Sequence, residues 1–141
     1  MAPGIPDGLY RINFTNEQLL TALEPAPGAP LVLLPRGNGD TQEWRVRSDG
    51  NGLHTITAAN AHLDLTVSYD GEPDMHEPAL LLPDRRSWNL LPGNDPDTYL
   101  IGVPNAPMRL GMSLLRIFPP RVALAPEYGD PYQAWIFEKV G

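Results

Sequence analysis

The chain has 141 residues, 42% of them hydrophobic, which suits one domain with its own core. It contains no cysteine, so disulfides and thiolate zinc sites are excluded. The formal net charge is −7 with Lys and Arg scattered, and no apolar run reaches membrane-spanning length, which argues against nucleic-acid and membrane partners.

The opening Met1 to Gly8 carries neither a basic nor an apolar signal segment, so a cytoplasmic location is expected. With 17 Pro and 13 Gly, the chain favours short strands joined by stiff turns. A first strand is expected at Gly8-Leu9-Tyr10-Arg11-Ile12, followed by a turn at Asn16. Glu17 to Leu23 looks helical alone, but its partners later in the chain make it a strand. A loop from Glu24 to Pro30 leads to a third strand, Leu31-Val32-Leu33-Leu34, closed by Pro35, which has no N–H for a ladder. A fourth strand, Glu43 to Arg47, carries Trp44.

The same order then returns twice. Gly52-Leu53-His54-Thr55-Ile56 and Asp97-Thr98-Tyr99-Leu100-Ile101 match the first opening at offsets of 44 and 45. These offsets align Asn16 with Asn60 and Asn105, Leu19 with Leu63 and Met108, Thr21 with Leu65 and Leu110, and Leu23 with Val67 and Met112. Leu63, Leu65 and Val67 alternate with His62, Asp64 and Thr66, the pattern of a strand with one buried face. Third strands follow at Ala79-Leu80-Leu81-Leu82 and Val122-Ala123-Leu124-Ala125, closed by Pro83 and Pro126. Fourth strands carry Trp88 and Trp135, from Ser87 to Leu91 and Gln133 to Glu138. The chain is therefore all-β, with twelve strands in three pseudo-repeats of about 8–50, 52–94 and 97–140. A closed barrel removes the sheet edges, and the three tryptophans belong in its core.

Gln42-Glu43-Trp44 and Gln133-Ala134-Trp135 share a Gln-x-Trp motif, and the middle copy reads Arg86-Ser87-Trp88. With the Gly-x-Tyr-x-Ile opening, the chain resembles the ricin-B-like β-trefoil superfamily over its whole length. That resemblance implies a single β-trefoil domain over 1–141, a six-strand barrel capped by a hairpin triplet.

Strands hold such a scaffold, so function is expected in the connections. There is no Gly-x-Ser-x-Gly, phosphate loop or cysteine nucleophile, and no enzyme activity is expected. His54 aligns with Tyr10 and Tyr99 as a structural ring. His62 and His76 with Asp64, Asp70 and Asp74 show no established ligand spacing, so neither a metal nor a cofactor is expected.

Two binding functions fit. The first is protease inhibition. Asp7-Gly8-Leu9-Tyr10-Arg11-Ile12, Pro30-Leu31-Val32-Leu33-Leu34-Pro35, Gln42-Glu43-Trp44-Arg45-Val46 and Ala134-Trp135-Ile136-Phe137-Glu138-Lys139-Val140 resemble fungal β-trefoil protease inhibitors. The similar families are the mushroom serine-protease inhibitors of the cospin and cnispin type and, more distantly, the mycocypins that block cysteine proteases. The resemblance implies reactive loops at Glu24 to Pro30 and Pro126 to Tyr132. Candidate contacts are Pro25, Ala26, Pro27 and Gly28, then Arg36 and Asn38, Arg116, and Glu127 with Tyr128. Closely spaced prolines would hold the first loop stiff and extended before docking. Arg116 stands among Leu114, Leu115, Ile117 and Phe118, as a cleft anchor or a self-association patch in a monomer or weak dimer. A serine protease is the leading partner.

The second function is glycan binding. Lectins of the ricin-B-like kind use an Asp near the start of the second strand, and Asp64 in His62-Leu63-Asp64-Leu65 resembles it. The offsets put Leu20 and Arg109 at that place in the other units, which leaves one site.

Overall fold

The computed structural model describes residues 5–15, 18–24, 26–37, 41–50, 52–59, 64–74, 77–93, 97–113, 120–126 and 134–140. Unit one contributes β1 (Gly8–Thr15), β2 (Gln18–Ala22), β3 (Leu31–Leu34) and β4 (Trp44–Ser48). Unit two contributes β5 (His54–Ala58), β6 (Thr66–Ser68), β7 (Leu80–Leu82) and β8 (Ser87–Pro92). Unit three contributes β9 (Thr98–Gly102), β10 (Met108–Met112), β11 (Val122–Pro126) and β12 (Ala134–Lys139). The segment with a helical look is the strand β2, as its repeat partners require.

The first and fourth strands of each unit close a barrel. β1 pairs with β4, β4 with β5, β5 with β8, β8 with β9, β9 with β12, and β12 returns to β1. The second and third strands form three hairpins, β2–β3, β6–β7 and β10–β11. These hairpins knit together around the pseudo-three-fold axis. Leu31 N–H donates to Ala79 O at 3.0 Å, Ala79 N–H to Val122 O at 2.9 Å, and Leu33 N–H to Pro120 O at 2.8 Å. The fold is a β-trefoil. Its closed ring and knitted cap leave few open ladder edges, although each strand is short.

Periodicity explains the core. Ile12, Ile56 and Ile101 lie at one depth in the barrel, fully buried. All three tryptophans are fully buried too. Each indole N–H donates to a second-strand carbonyl: Trp44 to Leu20 at 3.0 Å, Trp88 to Val67 at 2.8 Å and Trp135 to Leu110 at 3.1 Å. A buried indole needs such a partner, and here the bond also fixes hairpin to barrel. Each tryptophan faces a ring across the ladder: Tyr10 opposite Trp44, His54 opposite Trp88 and Tyr99 opposite Trp135. His54 is thus the structural ring that its alignment implies.

The register corrects one part of the repeat alignment. The pairs Asn13–Leu19, Thr57–Thr66 and Gly102–Arg109 join first to second strands across six, nine and seven residues. Unit two therefore carries three more residues at this connection than unit one. Leu20, Val67 and Leu110 are the equivalent positions, facing Leu33, Leu81 and Leu124. The offset of 44 holds for the first strands and fails for the second. Asp64 consequently corresponds to Pro107 in unit three, and neither Leu20 nor Arg109 is its counterpart. The simple alternation fails as well, because Thr66 and Ser68 are buried beside Leu65 and Val67. Thr66 is satisfied there by donating its hydroxyl to Leu82 O at 3.1 Å.

Two smaller expectations resolve differently. Asn105 has φ of 65°, the left-handed turn geometry expected of it, while Asn16 and Asn60 lie outside the described residues. Pro126 is the last paired residue of β11, opposite Met108, and does not stand beyond the strand as Pro35 and Pro83 do.

Candidate functional site

In units one and two the residue two before the tryptophan acts as a clamp. Gln42 Nε2 donates to Pro35 O at 2.8 Å and to Thr21 Oγ1 at 3.2 Å, while its Oε1 accepts from Gly37 N–H at 2.8 Å. The equivalent Arg86 donates from Nε to Ser68 Oγ at 3.0 Å and from a terminal nitrogen to Tyr69 O at 3.3 Å. Thr21 and Ser68 occupy matching places, one residue past the indole acceptor. Arg86 also lies over the Tyr69 ring at 3.8 Å and pairs with Asp84 at 3.5 Å. Both side chains are thus engaged in holding the scaffold.

An open groove of about 470 Å³ lies between unit one and unit two. Antiparallel register builds its floor in two rungs. Arg47 stands opposite Thr55, which stands opposite Ser87; Arg45 stands opposite Thr57, which stands opposite Thr66. Arg45, Arg47, Thr55 and Thr57 alternate with the buried Val46 and Ile56, so strand pleating turns them outward, while Thr66 closes its rung as a buried residue. At one lip Arg85 donates to Asp64 at 3.0 Å, both side chains being over 70% exposed. Arg85 has φ of 52°, an uncommon conformation for a non-glycine residue that sets the direction of its side chain. At the other end Asp49 accepts from Ser87 Oγ at 3.0 Å and from Leu53 N–H at 3.3 Å.

This set presents an acceptor carboxylate, donor guanidinia and hydroxyls that serve either way. The Asp64–Arg85 pair is exposed and weak, so a ligand can exchange its hydrogen bonds at little cost. Among the described residues lining the groove, none is aromatic. Sequence reasoning found Asp64 and missed Arg45, Arg47, Thr55, Thr57 and Ser87. Their signal was the polar half of the alternation along β4 and β5.

The proposed protease loop is a different matter. Ala29 N–H donates to Ala26 O at 3.1 Å, with Pro27 and Gly28 between them and Gly28 at φ of 82°. That is the proline–glycine arrangement of a type II turn, and it corrects the expected extended segment. The turn is pinned to unit two, Gly28 N–H donating to Leu81 O at 2.7 Å and Leu81 N–H to Ala29 O at 2.9 Å. Arg36 reaches Glu138 at 2.8 Å and is committed to β12. Its hydrogen bond is the main cause holding the Glu138 carboxyl below the usual value. Pro25, Asn38, Arg116, Glu127 and Tyr128 lie outside the described residues, as do the patch residues Leu114, Leu115, Ile117 and Phe118.

A second hollow, also about 470 Å³, is lined by Ile5, Tyr10, Tyr99, Phe137 and Lys139 among others. Tyr10 and Tyr99 pack edge-on against Phe137 at 5.9 and 5.5 Å. Tyr10 donates its hydroxyl to Pro6 O at 2.7 Å, and burial leads the causes that push this phenol up. No group of three or more metal-ligating His, Cys, Asp or Glu occurs among the described residues.

No protein-family model matches the sequence, and no curated protein does. Solved structures do. The Macrolepiota procera ricin B-like lectin, in complex with lactose, is 17% identical with a TM-score of 0.82, the match covering 98% of this chain and all (100%) of that one. The Rhizoctonia solani agglutinin is 16% identical with a TM-score of 0.81, covering 99% of this chain and 100% of that one. A designed three-fold symmetric protein, ThreeFoil, is 17% identical with a TM-score of 0.82, covering 95% of this chain and 100% of that one. At this identity the likeness establishes the fold.

Proposed function

We propose that the protein is a carbohydrate-binding module whose site is the groove at Asp64. One observation carries this reading: an exposed, weakly paired Asp64 and Arg85 stand over two rungs of hydroxyl and guanidinium groups. A sugar offers vicinal hydroxyls that donate to a carboxylate and accept from a guanidinium, and this groove has both. The lectin likeness lends weight, since the Macrolepiota procera protein was solved with lactose. Binding needs no chemistry on the ligand, so the module acts by recognition alone.

A glycan array tests it. Wild-type protein is expected to bind a restricted set of glycans, and Asp64→Ala to lose at least about tenfold in affinity for them. A blank array at micromolar protein would remove the proposal. Protease inhibition draws its support from the sequence resemblance, and the pinned turn at Ala26 to Ala29 weakens it. Trypsin, chymotrypsin, subtilisin and papain assayed with excess protein separate the two readings. Stoichiometric block of any of them with a blank array would favour inhibition.

A further inference from the structure

The groove holds more positive charge than hydroxyl recognition requires. Three arginines line it, Arg45, Arg47 and Arg85, against two carboxylates, Asp49 and Asp64. Both carboxylates are occupied: Asp64 takes Arg85, and Asp49 takes Ser87 and Leu53. Arg45 and Arg47 have no side-chain hydrogen bond or ion pair among the described residues. They are exposed, outward-facing and two apart on β4, which places their backbones about 6.7 Å from each other on one face. Beside them Thr55 and Thr57 stand directly across the ladder as hydroxyl donors. A local positive excess of this kind is unusual in a chain of net charge −7. Two unpaired guanidinia with flanking hydroxyls are suited to an oxyanion, which a guanidinium can grip with two parallel N–H donors.

We propose that the groove selects an acidic sugar. Arg45 and Arg47 receive its carboxylate or sulfate, with Thr55 and Thr57 donating beside them, while Asp64 and Arg85 hold ring hydroxyls. This rests on the carbohydrate-binding reading and adds the ligand's charge class to it. The described lining residues include no aromatic platform, which accords with it, because charge then does the work that ring stacking does for a neutral sugar.

The test is calorimetric titration with three probes: tetragalacturonate, its fully methyl-esterified counterpart, and a sulfated heparin tetrasaccharide. The first two share one backbone and differ in whether each uronate carboxyl is charged or capped by a methyl, and the third adds sulfate to a uronate-bearing chain. Wild-type protein is expected to bind at least one acidic probe about tenfold or more tighter than the ester, with affinity falling as salt rises. Arg45→Gln/Arg47→Gln is expected to erase that preference while keeping affinity for the ester. The single variants Arg45→Gln and Arg47→Gln give the same reading should the double variant unfold. Lys139→Gln, which removes one positive charge from the other hollow, is expected to leave the preference intact. Equal affinity for acid and ester overturns the proposal, and so does a preference that survives without both arginines or falls equally in Lys139→Gln. If neutral glycans alone bind, and do so through Asp64, the charge selection fails and the carbohydrate reading stands. If no saccharide binds, charged or neutral, both fall together.

Discussion

Units one and two solve one structural problem with different residues. Each must tie the loop before its tryptophan to its own second strand. Gln42 does so with a neutral amide that both donates and accepts, binding Thr21, Pro35 and Gly37. Arg86 has donors only, so it takes Ser68 and the Tyr69 carbonyl, leans on the Tyr69 ring and borrows the Asp84 carboxylate. The loops differ to match. Pro35 to Trp44 spans nine positions, and from it Arg36 crosses to Glu138 in unit three. Pro83 to Trp88 spans five, and its Arg85 stays home on Asp64. What recurs among the units is a hydrogen-bonding task, and the shorter loop frees a charged pair to stand over a groove.

The largest effect belongs to what both units share. Trp88→Ala should cost about 3–5 kcal/mol by urea denaturation, a large share of a small domain's stability. Trp88→Phe separates packing from anchoring, since it leaves the Val67 carbonyl buried without its 2.8 Å donor. It should cost about 1–3 kcal/mol. A loss under about 0.5 kcal/mol would mean that the indole N–H contributes nothing to joining hairpin and barrel.

The clamps come next. Arg86→Ala should cost about 2 kcal/mol and Gln42→Ala about 1 kcal/mol, because bonds from a charged donor are the stronger. Their salt response should differ more than their size. Moving from low to high salt should shrink the Arg86→Ala loss and leave the Gln42→Ala loss unchanged. Equal salt responses would mean that Asp84 adds no electrostatic support to the middle clamp.

These contrasts also mark where the sequence was legible. The tryptophans and the first strands declared the trefoil, because Ile12, Ile56 and Ile101 keep nearly equal spacings, 44 and 45, around a closed barrel. The second strand of unit two did not declare its register. Leu63, Leu65 and Val67 offered an alternation that suited the offset of 44, while three extra residues before β6 shift the true equivalents to Leu20, Val67 and Leu110. Only ladder pairing exposes such a slip, since sliding a strand leaves its composition unchanged. The groove was hidden for a related reason. Asp64 was visible as a motif fragment, but Arg45, Thr57 and Thr66 come from three strands and meet only through register. The proline-rich loop misled in the opposite sense, because Gly28 permits a positive φ that folds it into a turn.

Asp64 should behave unlike either clamp. Its partner Arg85 is exposed and the pair lies outside the core, so Asp64→Ala should change stability by less than about 1 kcal/mol. The same variant should lose glycan affinity. A stability loss matching that of Arg86→Ala would assign Asp64 to the scaffold and take it out of the site.

The smallest effect comes from the long loop of unit one, where Arg36 meets Glu138. The arginine's hydrogen bond is the main cause lowering the Glu138 carboxyl below its ordinary 4.5. A carboxylate with a depressed folded value binds its proton later than the unfolded chain does as pH falls. Its stabilisation is therefore fully present above that ordinary value and fades as pH drops through the folded one. Arg36→Gln removes the cause, so variant and wild type should differ near neutral pH and converge under acid. The gap should stay under about 1 kcal/mol, because both side chains are roughly half exposed and water screens the pair. Urea midpoints measured across the acid range check it. A gap that stays constant below the glutamate range would mean that Arg36 holds its loop to β12 by packing, without help from the charge on Glu138.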